Sequence, residues 1–220
     1  MNIALGAFWF FYFAGYGIFF PYFALYLSQD QGLSGTQVGL ILGVMPCVGL
    51  LAQPLWGQVA DRTGSRRGVL AIAVAGAAAA HLALGRLDGF PRVLAATAAL
   101  ALFSTTVVPL ATAVSLAVQN RSDGSGFGRV RLWGTLGFLV TVVGFPRLLA
   151  HLPPGPGSSG QDLGWMFPAI AGLSLLAVPA ALVLPRTHSL TERSAAGDTR
   201  RLLRHPPVRL LLLTVFAAQL

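Results

Sequence analysis

An all-α membrane protein is the fold class this sequence predicts: a six-helix bundle followed by the start of a seventh helix. Three observations carry that reading. Hydrophobic residues make up 55% of the chain and charged residues only 10%, with a mean hydropathy of +0.69, outside the ordinary range of soluble domains. Apolar runs of spanning length recur along the chain, separated by short polar breaks. The arginines gather in alternate breaks.

A spanning helix needs about 20 mostly apolar residues. Residues 3–27 form the first such run. They have no basic segment ahead of them and exceed the apolar core of a signal peptide, so a retained helix is expected. Residues 38–60, 69–85, 93–118, 132–150 and 163–184 supply five more runs. The breaks at 28–36, 86–92 and 151–162 are rich in Gly, Ser, Pro, Asp and Gln, the residues that end helices. A further apolar run begins at Val208 and reaches Leu220, too short to span. The expected organisation is residues 1–184 as an N-terminal six-helix transmembrane bundle and 185–207 as a cytoplasmic central loop. Residues 208–220 are then the start of a truncated seventh helix.

A net charge of +8 and a pI near 11.2 invite a nucleic-acid reading, which the placement of the charge refuses. All fifteen basic residues are arginine. The break at 61–68 holds Arg62, Arg66 and Arg67, and that at 119–131 holds Arg121, Arg129 and Arg131. The break at 185–207 holds Arg186, Arg193, Arg200, Arg201 and Arg204, whereas the intervening breaks hold only Arg86, Arg92 and Arg147. By the positive-inside rule the arginine-rich breaks and the N-terminus face the cytoplasm, and residues 151–162 lie outside. The expected setting is therefore multi-pass in the cell (inner) membrane, with the lipid bilayer and no nucleic acid as partner. The complete lack of lysine carries no functional reading.

Cys47, alone in its kind, excludes an intrachain disulfide and a cysteine-rich metal site. No metal and no cofactor is expected. Gly39, Gly43 and Gly49 in the second run, and the alanines 77–80 in the third, predict close helix packing. Pro21 and Pro109, each well along its run, are too slight a likeness to count as a three-helix repeat.

Two polar stretches stand out. Residues 57–67 place Gly57, Asp61, Arg62, Gly64, Arg66 and Arg67 between two membrane-length runs. Burying that many charges unpaired would be very costly, so they predict a tight charged hairpin at a membrane surface. The second stretch, residues 127–138, carries Arg129 and Arg131 directly into an apolar helix beginning Trp133-Gly134. Arg131, in the first turn, suits an anionic or hydroxyl-rich ligand. None of the seven acids (Asp30, Asp61, Asp88, Asp123, Asp162, Glu192, Asp198) falls in the middle of a run. The mid-span titratable group is His81, for which packing outweighs a coupling role. No cluster of carboxylates, histidines or a nucleophile marks a catalytic centre, so an enzyme is not expected.

The spacing Gly57, Asp61-Arg62, Gly64, Arg66-Arg67 resembles the signature loop of the major facilitator superfamily. Phe11-Tyr12-Phe13 through Phe20-Pro21-Tyr22, Gln53-Pro54-Leu55-Trp56-Gly57 and the run from Phe127 to Phe138 are similar to the branch containing lactose and phenylpropionate permeases. The resemblance spans the first five helices. It implies a twelve-helix, two-bundle transporter with alternating access, of which this chain is the N-terminal half and a C-terminal bundle the missing partner. It also implies gating by Gly57, Asp61, Arg62, Gly64, Arg66 and Arg67, with Asp61 meeting the second bundle. A substrate site follows at Arg131, Phe138, Tyr16, Phe13 and Phe20. The branch's helix-four acid is replaced by Thr112, with Ser115 and Gln119 nearby. An arginine without that acid suits a carboxylate-bearing solute, so the expected activity is proton-coupled symport of a small organic, aromatic acid. A sugar/proton symporter of the lactose permease type and a truncated, non-transporting membrane fragment are the alternatives.

Overall fold

The computed structural model describes residues 3–119, 127–152 and 162–184; the expected central loop and seventh helix lie outside them. Six helices follow one another: α1 (Ile3–Gln29), α2 (Gly35–Thr63), α3 (Arg66–Leu84), α4 (Phe90–Gln119), α5 (Phe127–Leu149) and α6 (Met166–Val183). A 3₁₀ turn, Leu163–Trp165, leads into α6. All six are long and apolar enough to cross a membrane, as the sequence predicted. Several run further than hydropathy alone marks. α2 continues through the charged stretch to Thr63, so the predicted hairpin is a two-residue turn, Gly64-Ser65. α5 starts at Phe127 and places Arg131 in its second turn, not its first.

The packing order is not the chain order. α5 lies on α1, α1 on α6, α6 on α3, α3 on α4 and α4 on α2. Exchanging α1 with α4, α2 with α5 and α3 with α6 reproduces that pattern. A three-helix repeat that the sequence does not establish is therefore plain in the packing, an arrangement with internal repeats. Pro21 and Pro109 fall about two thirds along the equivalent helices α1 and α4.

Two apolar layers fill the bundle. One, around Phe8, Trp9, Leu70, Val114 and Leu184, lies at the end carrying the charged turn. The other, around Phe23, Leu84, Val93, Phe145 and Phe167, lies at the opposite end. There Gln31 ties the α1–α2 and α3–α4 loops together: its Nε2 donates to Asp88 Oδ1 at 3.1 Å, and its Oε1 accepts from the Gly89 amide at 3.1 Å. Asp30 Oδ2 accepts from the Leu163 amide at 2.9 Å and so holds the turn before α6.

Glycine sets the tightest crossing, though not where the sequence placed it. A Cβ at Gly137 would collide with the Phe10 carbonyl, and one at Gly17 would lie 2.6 Å from the Phe138 carbonyl. The close approach thus belongs to α1 and α5, where Thr141 Oγ1 also donates across to the Ala14 carbonyl at 2.7 Å. Among the described residues Gly39 and Gly43 of α2 have nothing within 4 Å of such a Cβ, so the close packing expected of them is not made within this bundle; of the α2 glycines only Gly49 meets a neighbour here, Thr105 at 3.3 Å. In α3 the alanine expectation holds for Ala77 and Ala78, both buried.

Candidate functional site

The charged turn is built by helix ends. Gly64 closes α2 at φ +61°, a left-handed conformation that favours glycine. The turn brings Arg66 back onto Asp61, Nη2 to Oδ1 at 3.2 Å. The pair is solvent-accessible, so it contributes little by itself. Arg67 does different work: its Nη1 donates to the Leu182 and Leu184 carbonyls at 3.1 and 3.0 Å. These are acceptors at the end of α6, which that helix cannot satisfy itself. The turn therefore joins α2 and α3 to α6. Arg62 is exposed, and at Gly57 a Cβ would meet nothing.

The second group of predicted residues is organised by a residue the sequence reading passed over, Trp9. Its indole Nε1 donates to Ser115 Oγ of α4 at 3.0 Å, and Ser115 in turn donates to the Ala111 carbonyl at 2.6 Å. The Arg131 guanidinium lies over the same indole, 5.8 Å from the ring centroid. Trp9 thus stands between the two helices that carry Ser115 and Arg131. The sequence offers only a weak signal for it: a buried indole needs an acceptor for its N–H, but α1 also holds Tyr12, Tyr16, Tyr22 and Tyr26, whose hydroxyls seek partners in the same way.

From Trp9 an aromatic stripe climbs α1 at helical spacing. Trp9 meets Phe13 at 5.4 Å and Phe13 meets Tyr16 at 5.9 Å between ring centroids. Tyr16 is 39% exposed and Phe20, the next ring along, 73%. The structure thus brings Arg131, Phe13 and Tyr16 into one run through Trp9, ending towards Phe20. Phe138 is half-buried, with its backbone against Gly17. Thr112 is half-buried on α4, one turn before Ser115. The Gln119 side chain lies outside the described residues. Arg131 has no carboxylate partner among the described residues.

Beside the stripe, α1 and α4 keep their backbones apart and meet through side chains; Tyr12 Oη donates to the Ser104 carbonyl at 3.2 Å. The gap opens into a small cleft of about 20 Å³, lined by residues of α1, α2, α3, α4 and α6. His81 lies at its α3 wall, with Nδ1 2.7 Å from the Ala77 carbonyl and its ring edge-on to Phe19. No group of three or more metal-ligating side chains occurs among the described residues.

A six-helix bundle with paired three-helix halves, a charged α2–α3 turn and an arginine-bearing aromatic face defines a bundle of the major facilitator superfamily. The family model described as MFS_1 like matches residues 2–220, and the chain belongs to that family. A maltose permease of Geobacillus stearothermophilus is 32% identical over 215 residues, 95% of this chain and 51% of its own length. An uncharacterized transporter of Bacillus subtilis, YwbF, is 36% identical over 151 residues, 69% of this chain and 38% of its own length. A probable 3-phenylpropionic acid transporter of Escherichia coli is 34% identical over 179 residues, 71% of this chain and 42% of its own length. The chain therefore spans about half, or less, of the length of these relatives. A mutant form of the nucleoside transporter NupG superposes with a TM-score of 0.76 at 18% identity, covering 98% of this chain and 53% of that one; this likeness concerns the fold.

Proposed function

We propose that this chain is one half of a two-bundle secondary transporter in the inner membrane, N-terminus inside, and that the transporter carries a small organic acid with an apolar or aromatic body. The observation that carries the reading is Arg131: exposed at the aromatic stripe, stacked on Trp9, and without a carboxylate among the described residues. An exposed guanidinium with no carboxylate of its own keeps its planar fork free for a solute carboxylate, which it can bind through two parallel hydrogen bonds. Phe13, Tyr16 and Phe20 offer ring faces for the solute body, with Trp9 buried beneath Arg131 as its support and Phe138 and Thr112 completing the site. The probable phenylpropionate transporter among the relatives supports this solute class. The turn at Asp61 to Arg67 serves as the gating contact with the second bundle.

A second reading, a neutral sugar, is favoured by the maltose permease relative, which matches almost the whole chain. Uptake of 3-phenylpropionate against maltose and a galactoside by the complete transporter separates the two. Arg131→Lys should lower aromatic-acid uptake about tenfold or more, because lysine lacks the planar fork. Thr112→Glu should lower it further by occupying Arg131. Good sugar uptake without acid uptake would overturn the anion reading. Coupling to protons is part of the proposal, and a protonophore should then abolish accumulation while leaving exchange of preloaded solute intact.

A further inference from the structure

The cleft between α1 and α4 holds a set of polar groups that neither the aromatic stripe nor the charged turn uses. A carbonyl oxygen can only accept, so the 2.7 Å contact to Ala77 fixes the His81 proton on Nδ1 and leaves Nε2 as a bare acceptor. Nε2 has no hydrogen-bond partner among the described residues, although the ring is only 6% exposed. Ser104 Oγ is buried without a partner. Ser174, 4% exposed, adds a second hydroxyl from α6 on the same cleft, and no bond ties it to another described residue. Helical serines ordinarily return their hydroxyl to the carbonyl one turn back, as Ser115 does. Ser104 Oγ, shut away from solvent, is costly unless something binds it, whereas His81 Nε2 and Ser174 Oγ keep some accessible surface and are free to bind a guest.

What they fit is specific. His81 Nε2 needs a donor, whereas the two serine hydroxyls can donate to an acceptor and accept in turn. A single alcohol-type OH is both donor and acceptor. No Asp, Glu or Arg lines the cleft, so nothing there compensates a charge. Tyr16, which belongs both to the cleft lining and to the exposed stripe, marks the way in.

We propose that His81, Ser104 and Ser174 form a hydroxyl-binding subsite behind the α1–α4 face, which takes one neutral hydroxyl or hydroxymethyl arm of a solute in exchange for water. The subsite stands apart from the organic-anion reading, since it involves neither Arg131 nor any other charge.

Nitrogen-15 NMR of the full chain in lipid nanodiscs tests it, with His151, His188 and His205 replaced by glutamine so that the remaining histidine signal is His81. Ethylene glycol and methyl α-glucoside are the hydroxyl probes, dimethoxyethane the ether control and benzoate the anion control. The expected result is an unprotonated Nε2 resonance that shifts saturably with both hydroxyl probes and with neither control. Ser104→Ala combined with Ser174→Ala should weaken the apparent affinity about tenfold, as the loss of two modest hydrogen bonds does. Arg131→Lys should leave the titration unchanged, which separates this subsite from the anion site. A resonance that stays unmoved by both diol and glycoside would mean that the cleft holds water alone and would overturn the proposal. A protonated Nε2, or an equal shift with dimethoxyethane or benzoate, would overturn it too.

Discussion

α1 and α2 have similar hydropathy and nearly equal length, yet they live in different surroundings. Over their most apolar windows α1 is 56% buried within the bundle and α2 only 17%. α1 is packed between α5 and α6, and its rings reach α4 through Trp9 and Tyr12. α2 leans mainly on α4 and leaves Leu50, Leu51 and Leu55 more than half exposed. What separates them is the kind of small residue and the kind of ring. Glycines at the α1–α5 crossing let backbones touch, whereas in α2 Gly35, Gly39, Gly43 and Gly57 face open space and only Gly49 meets a side chain. In lipid, apolar surface alone does not tell a helix which neighbour to choose; close packing and interhelical hydrogen bonds do.

The comparison breaks most readily at its tightest point. Gly137→Leu should cost about 3 kcal/mol or more, because the clash is with the Phe10 backbone and no rotamer can relieve it. The expected outcome is loss of monodisperse protein in detergent, or a Tm lowered by many degrees. Gly39→Leu, on the open face of α2, should leave the Tm of the isolated chain nearly unchanged. Equal damage from both would show that α2 is as enclosed as α1.

Two smaller changes test how each helix is held. Trp9→Phe keeps the ring but removes the donor to Ser115, a loss of about 1 kcal/mol from the α1–α4 contact, readable as a shift in thermal unfolding. Ser34→Ala removes the cap of α2, where Ser34 and Gln37 bond each other's backbone amides. It should cost about 1 kcal/mol, arising from local structure alone. Hydrogen exchange should then report fraying confined to the first turn of α2, whereas Trp9→Phe should loosen α1 and α4 together.

The smallest expected effect is pH-dependent and lies just past the end of α1. Burial raises the Asp30 carboxyl above its ordinary 3.8; the Leu163 amide opposes this, the Asp162 charge adds to it, and the Gly164 amide opposes it again. The folded state then holds that proton more tightly than the unfolded one. Its contribution to stability is fully present below pH 3.8 and is lost as pH rises through the folded value. Asp30→Asn, neutral throughout and still able to accept from Leu163, should flatten that slope across the acid range. An unchanged slope in acid unfolding curves would assign the dependence to another group.

Much of the fold was legible in the residues. Six runs of spanning length gave six helices, and the arginine-rich turn at 57–67 announced both a helix end and the family. Helix ends were read less well, because a chain leaving the apolar region can stay helical through polar residues, as α2 does to Thr63 and α5 does from Phe127. The candidate site was legible in part: Arg131, Phe13, Tyr16 and Phe20 were all singled out before any geometry. Trp9 and Ser104 were not, since an indole in an aromatic helix and a serine in an apolar one carry no local mark of their partners.

What the sequence determined by itself is what depends on composition and near neighbours: how many spans, where they break, which turn needs glycine at Gly64 and which loops hold charge. What only the tertiary structure decided is which helix lies against which. The exchange symmetry of the two three-helix halves, the α1–α5 crossing, the hold of Arg67 on α6 and the gathering of His81, Ser104 and Ser174 about one cleft all join residues far apart in the chain. The physical reason is that hydropathy is a property of each residue against its solvent, and every run here satisfies it equally. Partner choice rests on shape and on unsatisfied hydrogen bonds, which exist only once two surfaces meet.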